Sequence, residues 1–358
     1  MERIAAKKSF KFLQPFCDNP GEMNRKLLVT LVLIAVVGIV AYESRGWKFD
    51  WKLFLRSFRN LHAGWLAASI VATLATYLVR AIRWQVLLNP IKRLHLHGLM
   101  TATLVGFSAI YILGRAGELV RPVWLTRKEQ VPFSASLATI LVERVLDFLM
   151  LVLLFAWTLI VVEIPQAAHA AGPMEMMKKV AWVLVIGSTV LMIGMFIFRS
   201  NIDRIVGFIP FRRVGRLMHN FAQGLSFLQG GRSFALVLFH SVILWLLIAV
   251  QFWFMLLGMK MNFSFAAASL VMVGAAIGSI AQIPGVGGGF QAGLIFCLGT
   301  LFAVPAEQSA AASLIAWVLS VAPTIGIAAV YMLATGLSLK DIVADSKSEM
   351  SILGSSPE

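Results

Sequence analysis

The 358-residue sequence predicts an all-α polytopic integral membrane protein, with about six spanning helices plus two Gly/Pro-broken re-entrant hairpins related as an inverted repeat. Three observations carry that prediction. Hydrophobic residues make up 59% of the chain and charged ones 13%, about half the charged share of an ordinary globular domain. The apolar residues fall in uninterrupted runs of the length that covers a ~30 Å hydrocarbon core at about 1.5 Å per residue. Two further apolar stretches are interrupted by dense glycine and proline. The runs do not alternate in polarity, which excludes an outer-membrane barrel.

The spanning runs lie at Leu27–Tyr42, Ala63–Leu88, Phe133–Val162, Val180–Phe198, Phe234–Leu257 and Ala306–Leu333. No small-x-small cleavage pattern follows the first run, so it is expected to be a retained anchor rather than a signal peptide. The expected organisation is a basic tail over residues 1–26, a transmembrane domain over 27–337 and a polar tail over 338–358. The net charge of +14 is carried at the ends of the apolar runs, which suits anionic lipid headgroups and argues against nucleic acid. Cys17 and Cys297 lie in unlike settings and offer no disulfide framework.

Basic residues in short loops are held on the cytoplasmic side. Arg3, Lys7, Lys8, Lys11, Arg25 and Lys26, the Lys92-Arg93 pair, Arg127-Lys128 and the arginine-rich connection from Arg199 to Arg232 are therefore expected inside a bacterial cytoplasmic membrane. Both termini then lie in the cytoplasm, and the loops near Glu163–Glu175 and Lys260 lie outside. The segment Gly46–Leu61 falls outside despite four cations. Its Trp47, Trp51, Phe54, Phe58 and Leu61 recur at helical spacing, as in a helix lying in the headgroup layer. Val214, Leu217, Met218, Phe221, Leu225 and Leu228 repeat the pattern on the other side.

The first broken stretch, about 98–125, is interrupted over Gly114–Pro122; the second, about 265–302, over Gln282–Gln291. Non-helical backbone at membrane depth persists only where protein or a wet cavity satisfies it, so both are expected to be re-entrant hairpins. Each has an upstream Val-Gly pair (Val105-Gly106, Val273-Gly274), a Gly-x-x-Gly at the break and a proline opening the next span (Pro132, Pro305). Three spans separate them, which turns the second upside down relative to the first. Paired broken helices in inverted halves are a sequence pointer to a transporter site near the midplane.

Charges inside spans cost several kcal/mol unless they face a partner or a cavity. Arg80 and Arg83 sit one turn apart near the end of a span, where snorkelling to the interface and a site are equally good readings. Arg115, Glu118 and Arg121 surround the first break, and Glu143, Arg144 and Asp147 lie well inside a long span. Arg144 is expected to neutralise both neighbouring carboxylates. The substrate-binding residues are therefore expected to be Arg115, Glu118, Arg121, Glu143, Arg144 and Asp147, with Gln282, Pro284, Gly285, Gly287 and Gln291 at the second break. Arginine forks and a freed helix N-terminus suit capture of a phosphorylated headgroup. His95 and His97 point to different helix faces and make a poor metal site. No catalytic residue, metal or cofactor is assigned.

The run Gly114-Arg115-x-Gly117-Glu118-x-x-Arg121, then Val142-Glu143-Arg144-x-x-Asp147, then Ile283-Pro284-Gly285-x-Gly287 resembles the membrane-domain family of the lysylphosphatidylglycerol synthetase/flippase, the multiple peptide resistance factor. The resemblance covers about Leu27 to Leu337 and implies a flippase-like fold handling phospholipids, polyprenyl-phosphate carriers or hopanoid-type lipids. The sequence departs from it at Leu113, where the family often has Pro, and at Gln291, where it often has Glu. No aminoacyl-transfer domain is expected after Leu339. The expected function is translocation of an anionic, phosphorylated membrane lipid, with homo-oligomerisation left open. A membrane-embedded lipid-phosphate enzyme using Glu118, Glu143 or Asp147, or a non-catalytic component of a lipid or glycan synthesis complex, stands as the alternative.

Overall fold

The computed structural model describes residues 49–163, 171–202, 230–283 and 287–335, together with residues 204, 218, 222 and 225 singly. The chain divides into two compact units, Met1–Asp50 and Trp51–Glu358, and the architecture below is that of the second. The run Leu27–Tyr42 lies outside the described residues, as does most of 214–228. The other five predicted runs are helices long and apolar enough to cross a membrane, so the protein is an all-α polytopic membrane protein.

The short helix α1 (Trp51–Arg56) carries the first amphipathic segment. It is shorter than the apolar spacing predicts, because the chain turns after Arg56 and inserts Phe58 and Leu61 against the core. Helix α2 (Ala63–Leu88) starts where the His62 side chain accepts from Trp65 N, and stops before Pro90, which has no N–H to continue it. Helix α3 (Leu96–Leu113) ends at Gly114, whose φ of 67° suits glycine, and a 3₁₀ turn (Gly114–Leu119) leads into α4 (Val120–Glu129). The helix resumes earlier than predicted, since Pro122 falls in its first turn, where a missing N–H costs nothing. Helices α5 (Phe133–Val161), α6 (Ala171–Ser200) and α7 (Gly231–Gly258) follow.

The second broken stretch comprises α8 (Phe265–Gly278), a 3₁₀ turn (Ser279–Ala281), the two-residue strands β1 (Gln282–Ile283) and β2 (Gly287–Gly288), and α9 (Gly289–Phe296) running into a π turn (Cys297–Leu301). The strands pair antiparallel, Gln282 with Gly288 and Ile283 with Gly287, so part of the loop satisfies its own backbone. The last helix, α10 (Ala306–Thr335), contains Pro323. That proline cannot bond the Leu319 carbonyl, which instead accepts from Thr73 Oγ1 of α2 at 3.3 Å.

Both broken stretches fold back on themselves through glycine. A Cβ at Gly106 would collide with the Arg121 side chain, and one at Gly117 with the backbone of Ala109 and Ile110. In the second hairpin Gly274 meets Gly293 and Gly278 meets Gly289, backbone against backbone. Between apolar helices in lipid no hydrophobic force pulls the arms together, so close approach through small residues supplies the contact energy.

The two halves are built alike. Helices α2 and α7 begin 168 residues apart, α3 and α8 169, α4 and α9 169, and α5 and α10 173. The packing is duplicated too: α2 on α3 matches α7 on α8, α4 on α5 matches α9 on α10, and α3 on α10 matches α8 on α5. The equivalent helices α2 and α7 form the most extensive interface and run antiparallel, with His62 N bonded to Gly258 O at 2.8 Å and Ser69 Oγ to Gln251 O at 3.0 Å. The halves are therefore inverted relative to one another, and the pseudo-two-fold axis passes between α2 and α7. Helix α6 joins them and packs mainly on α5.

The glycine contacts can be tested directly. Gly278→Ala and Gly293→Ala each drive a Cβ into opposing backbone, an overpacking cost of about 1–3 kcal/mol, and should lower the melting temperature in detergent by several degrees. Gly187→Ala, at a site with nothing within 4 Å, should leave it unchanged. Identical melting of all three variants would show that the hairpin arms do not touch at those positions.

Candidate functional site

Two charged groups are packed side by side in the first half. Arg121 is 1% exposed and makes a two-pronged pair with Glu143, itself 2% exposed, at 2.6 and 3.3 Å. Its guanidinium lies 4.0 Å from the Trp84 ring centroid, and the Trp84 indole N–H donates to Thr139 Oγ1 at 3.1 Å. This arrangement clamps the second arm of the first hairpin to α5. It fits a fork-to-carboxylate match that a lysine could not reproduce.

The second group converges on Asp147. Arg83, wholly buried, donates to Asp147 Oδ1 at 2.7 Å and to Ser241 Oγ of α7 at 3.1 Å. Arg80 and Arg144 each stand 3.7 Å from Oδ2, and the Trp245 indole N–H reaches Oδ1 at 3.4 Å. Three guanidiniums thus share one carboxylate. Phe107 sits among the cations, its ring centroid 4.7 Å from Arg80, 5.6 Å from Arg121 and 5.8 Å from Arg144. Since Glu143 is matched by Arg121, the whole region keeps a positive excess inside apolar surroundings.

Beside this cluster, between the two halves, lies a cavity of about 220 Å³. Thr73, Thr76, Tyr77 and Arg80 of α2 line it, with Phe107 and Tyr111 of α3. The other half contributes Trp245, Ile248, Gln251 and Phe252 of α7, Met272 and Ala276 of α8 with Ser279, Phe290 of α9, and Trp317, Ser320 and Val321 of α10. Among the described residues Arg80 is the sole charged one of this lining. The Tyr77 and Tyr111 hydroxyls stand 3.2 Å apart, and Gln251 Nε2 donates to Ser320 Oγ at 2.8 Å.

A family model for the lysylphosphatidylglycerol synthase TM region matches residues 26–337. The chain belongs to that family. No curated protein matches it. Membership in the lysylphosphatidylglycerol synthase transmembrane family, with its lipid-related role, agrees with a buried charge cluster inside a helical membrane core.

The structure distributes the sequence-predicted site residues over three places. It brings Arg121 to Glu143 and Arg144 to Asp147, but it takes Arg144 away from Glu143: the expectation that Arg144 neutralises both carboxylates gives way to Arg121 of α4 on Glu143, and to Arg80 and Arg83 of α2 beside Arg144 on Asp147. Arg144 is 35% exposed on its side chain. Glu118 is half-buried on the first 3₁₀ turn, Gln282 and Gly287 form the ladder, and Gln291 is half-buried in the first turn of α9. Pro284 and Gly285, and the Arg115 side chain, lie outside the described residues. Of the described residues predicted as substrate-binding, none lines the cavity. The wall residues Arg80, Tyr77, Tyr111, Trp245, Gln251 and Ser320 went unassigned; the available signal was the excess of intramembrane arginines over carboxylates, which left Arg80 and Arg83 without local partners. Among the described residues no cluster of three or more metal-ligating side chains occurs.

Removing one partner of the Arg121–Glu143 pair strands a buried charge. Arg121→Met or Glu143→Leu alone should therefore cost about 3–5 kcal/mol, whereas the double variant should recover most of it. Arg144→Ala leaves Arg83 and Arg80 on Asp147 and should cost less than either single variant of the Arg121–Glu143 pair. Thermal unfolding in detergent measures all four; a double variant no more stable than the worse single one would show that the pair is not an isolated unit.

Proposed function

We propose that the protein translocates an anionic, phosphorylated lipid across the bacterial cytoplasmic membrane, receiving the headgroup in the cavity between the halves at Arg80. The observation that carries this reading is the shared carboxylate: three guanidiniums around Asp147 leave uncompensated positive charge in a low-dielectric region, and Arg80 presents it to the cavity. A buried charge of that kind is expensive until an anion answers it. The cavity lies between two inverted halves, the location expected for a carrier whose halves rock about a central site.

The two glycine-sealed hairpins act on this reading as re-entrant elements. Their longer arms, Leu96–Ile112, Phe265–Ala281 and Gly289–Leu301, would reach at most about 26 Å at about 1.5 Å per residue, short of a ~30 Å core. Glu118 on the first turn, and Gln282, Gly287 and Gln291 at the second break, would then sit where the hairpin tips meet the headgroup's route, while Pro284, Gly285 and the Arg115 side chain lie outside the described residues. Arg121 and Glu143 serve as positioning residues. Phospholipids and polyprenyl-phosphate carriers both meet the charge requirement, and the family's description names a lysylated phospholipid.

The carrier reading is favoured over a lipid-phosphate enzyme because both deep carboxylates are engaged. Glu143 accepts two bonds from Arg121, and Asp147 holds Arg83 at 2.7 Å. A carboxylate so held is a poor general base for substrate.

Arg80→Ala separates folding from function. It removes one of three mutually repelling cations while Arg83 still holds Asp147, so the variant should melt at or above the wild-type temperature. A charged hydrogen bond of about 1.5–3 kcal/mol is lost, and lipid movement in reconstituted liposomes should fall roughly 10–100-fold. Wild-type rates in Arg80→Ala would remove the cavity from the mechanism. The orientation has its own test: single cysteines at Arg93 and Lys260, at opposite ends of the α2–α7 pair, should label from the cytoplasmic and outer sides respectively, and labelling from one side would overturn the topology.

A further inference from the structure

The cavity has two unlike poles. On the first-half side stand Arg80 and, behind it, the positive excess around Asp147. The opposite side is neutral: Gln251, 5% exposed, donates to Ser320 Oγ at 2.8 Å. The pseudo-symmetry sets the contrast at matching positions, since Arg83 and Gln251 are 168 residues apart and Asp147 and Ser320 173, the separations that relate the starts of their helices. An ion pair in one half is thus replaced by an amide–hydroxyl pair in the other.

Resting on the proposed carrier function, we infer that the cavity selects a phosphate ester whose remaining headgroup is uncharged and hydroxyl-bearing, and that it rejects headgroups carrying an ammonium. The phosphate meets Arg80. The hydroxyls meet the amide and hydroxyl of Gln251 and Ser320. Among the described residues no carboxylate lines the cavity to receive an amine, and a desolvated ammonium without one is costly. Phe107 already has Arg80, Arg121 and Arg144 against its ring, and an ammonium over the other rings of the wall, Tyr77, Tyr111, Trp245, Phe252, Phe290 and Trp317, would share the cavity with the Arg80 guanidinium. Like charge at such short range, with Arg80 in the wall, opposes its entry. The volume of about 220 Å³ is below the roughly 300–1,000 Å³ that encloses a whole drug-sized ligand. It admits a headgroup and leaves the acyl chains in the bilayer. The selection excludes the lysylated lipid named in the family's description.

The test is lipid retention by the full-length protein in detergent, read by native mass spectrometry, with phosphatidylglycerol, phosphatidylethanolamine and lysylphosphatidylglycerol offered in equal amounts. Wild type should retain phosphatidylglycerol at least tenfold over either amine-bearing lipid, and Arg80→Ala should lose that retention. Gln251→Glu places a carboxylate at the neutral pole and should bring the ratio of phosphatidylglycerol to lysylphosphatidylglycerol toward or below one; Ser320→Asp does the same if the first variant does not fold. Glycerol 3-phosphate, which has the phosphate and hydroxyls without acyl chains, should compete at least 100-fold more weakly than the lipid. Arg80-dependent retention of lysylphosphatidylglycerol equal to that of phosphatidylglycerol would overturn the selectivity and leave the carrier function standing. Retention independent of Arg80 for every lipid, or full competition by glycerol 3-phosphate, would instead overturn the carrier reading on which it rests. A ratio unchanged by both acidic variants would remove Gln251 and Ser320 from recognition.

Discussion

The first half of the molecule is organised around the carboxylate of Asp147. It is reached from α2 by Arg83 and Arg80, from its own helix by Arg144 and from α7 by Trp245, and Arg83 extends the bond to Ser241 of α7. One oxygen pair therefore ties together the two equivalent helices at the pseudo-two-fold axis and the long helix that follows the first hairpin. In lipid, where apolar surface gains nothing by leaving its solvent, such a bond carries more of the burden of fixing helix positions than it would in water. The glycine contacts of the hairpins supply the complementary term, close packing without charge.

The repeat is faithful in backbone and broken in chemistry. The first hairpin uses Gly106 to seat Arg121, and the second uses Gly274, at the equivalent position, to seat Cys297 and the backbone of Gly293. Where α5 carries Asp147, α10 carries Ser320; where α2 carries Arg83, α7 carries Gln251. Pro323 interrupts α10 three residues beyond Ser320, with Thr73 covering the exposed Leu319 carbonyl. One half is held by full charges and the other by neutral hydrogen bonds around a helix that lacks a backbone bond. Polarity in the cavity follows directly from that division.

Much of the fold was legible in the sequence because run length and glycine density are one-dimensional signals. Five of the spans, both breaks and the relation between Val105-Gly106 and Val273-Gly274 could be read without knowing any contact. The two-residue ladder could not, since Gln282–Ile283 and Gly287–Gly288 have no strand periodicity and pair only because the hairpin arms bring them together. The site was less legible. Charges inside spans marked the right helices, but partner assignment follows three-dimensional proximity: Arg121 and Glu143 are 22 residues apart, Arg83 and Asp147 are 64. The spacing of Glu143, Arg144 and Asp147 suggested a self-contained cluster, whereas each carboxylate takes its shortest bond from another helix. The cavity wall is mostly uncharged and aromatic, so Tyr77, Tyr111 and Trp245 read as ordinary span residues until the inverted halves enclose a space between them.

The three guanidiniums at Asp147 are not equivalent, and the difference bears on how a carrier could release what it binds. Arg83 is sealed, bonded at 2.7 Å and also tied to Ser241; its removal would open the α2–α7 interface. Arg144 is the most exposed of the three. Arg80 stands at 3.7 Å from the carboxylate, with its guanidinium against Phe107 and its side chain in the cavity wall. It is held loosely enough to meet an anion yet close enough for Asp147 to take it back. On the proposed reading, a bound phosphate and Asp147 compete for the same cation, which limits how tightly the empty-handed and loaded states can differ. A site built from Arg80 alone would bind more strongly and let go more slowly; one in which Arg80 were bonded as closely as Arg83 would not bind at all. The intermediate distance is what a site that must both capture and discharge an anion requires.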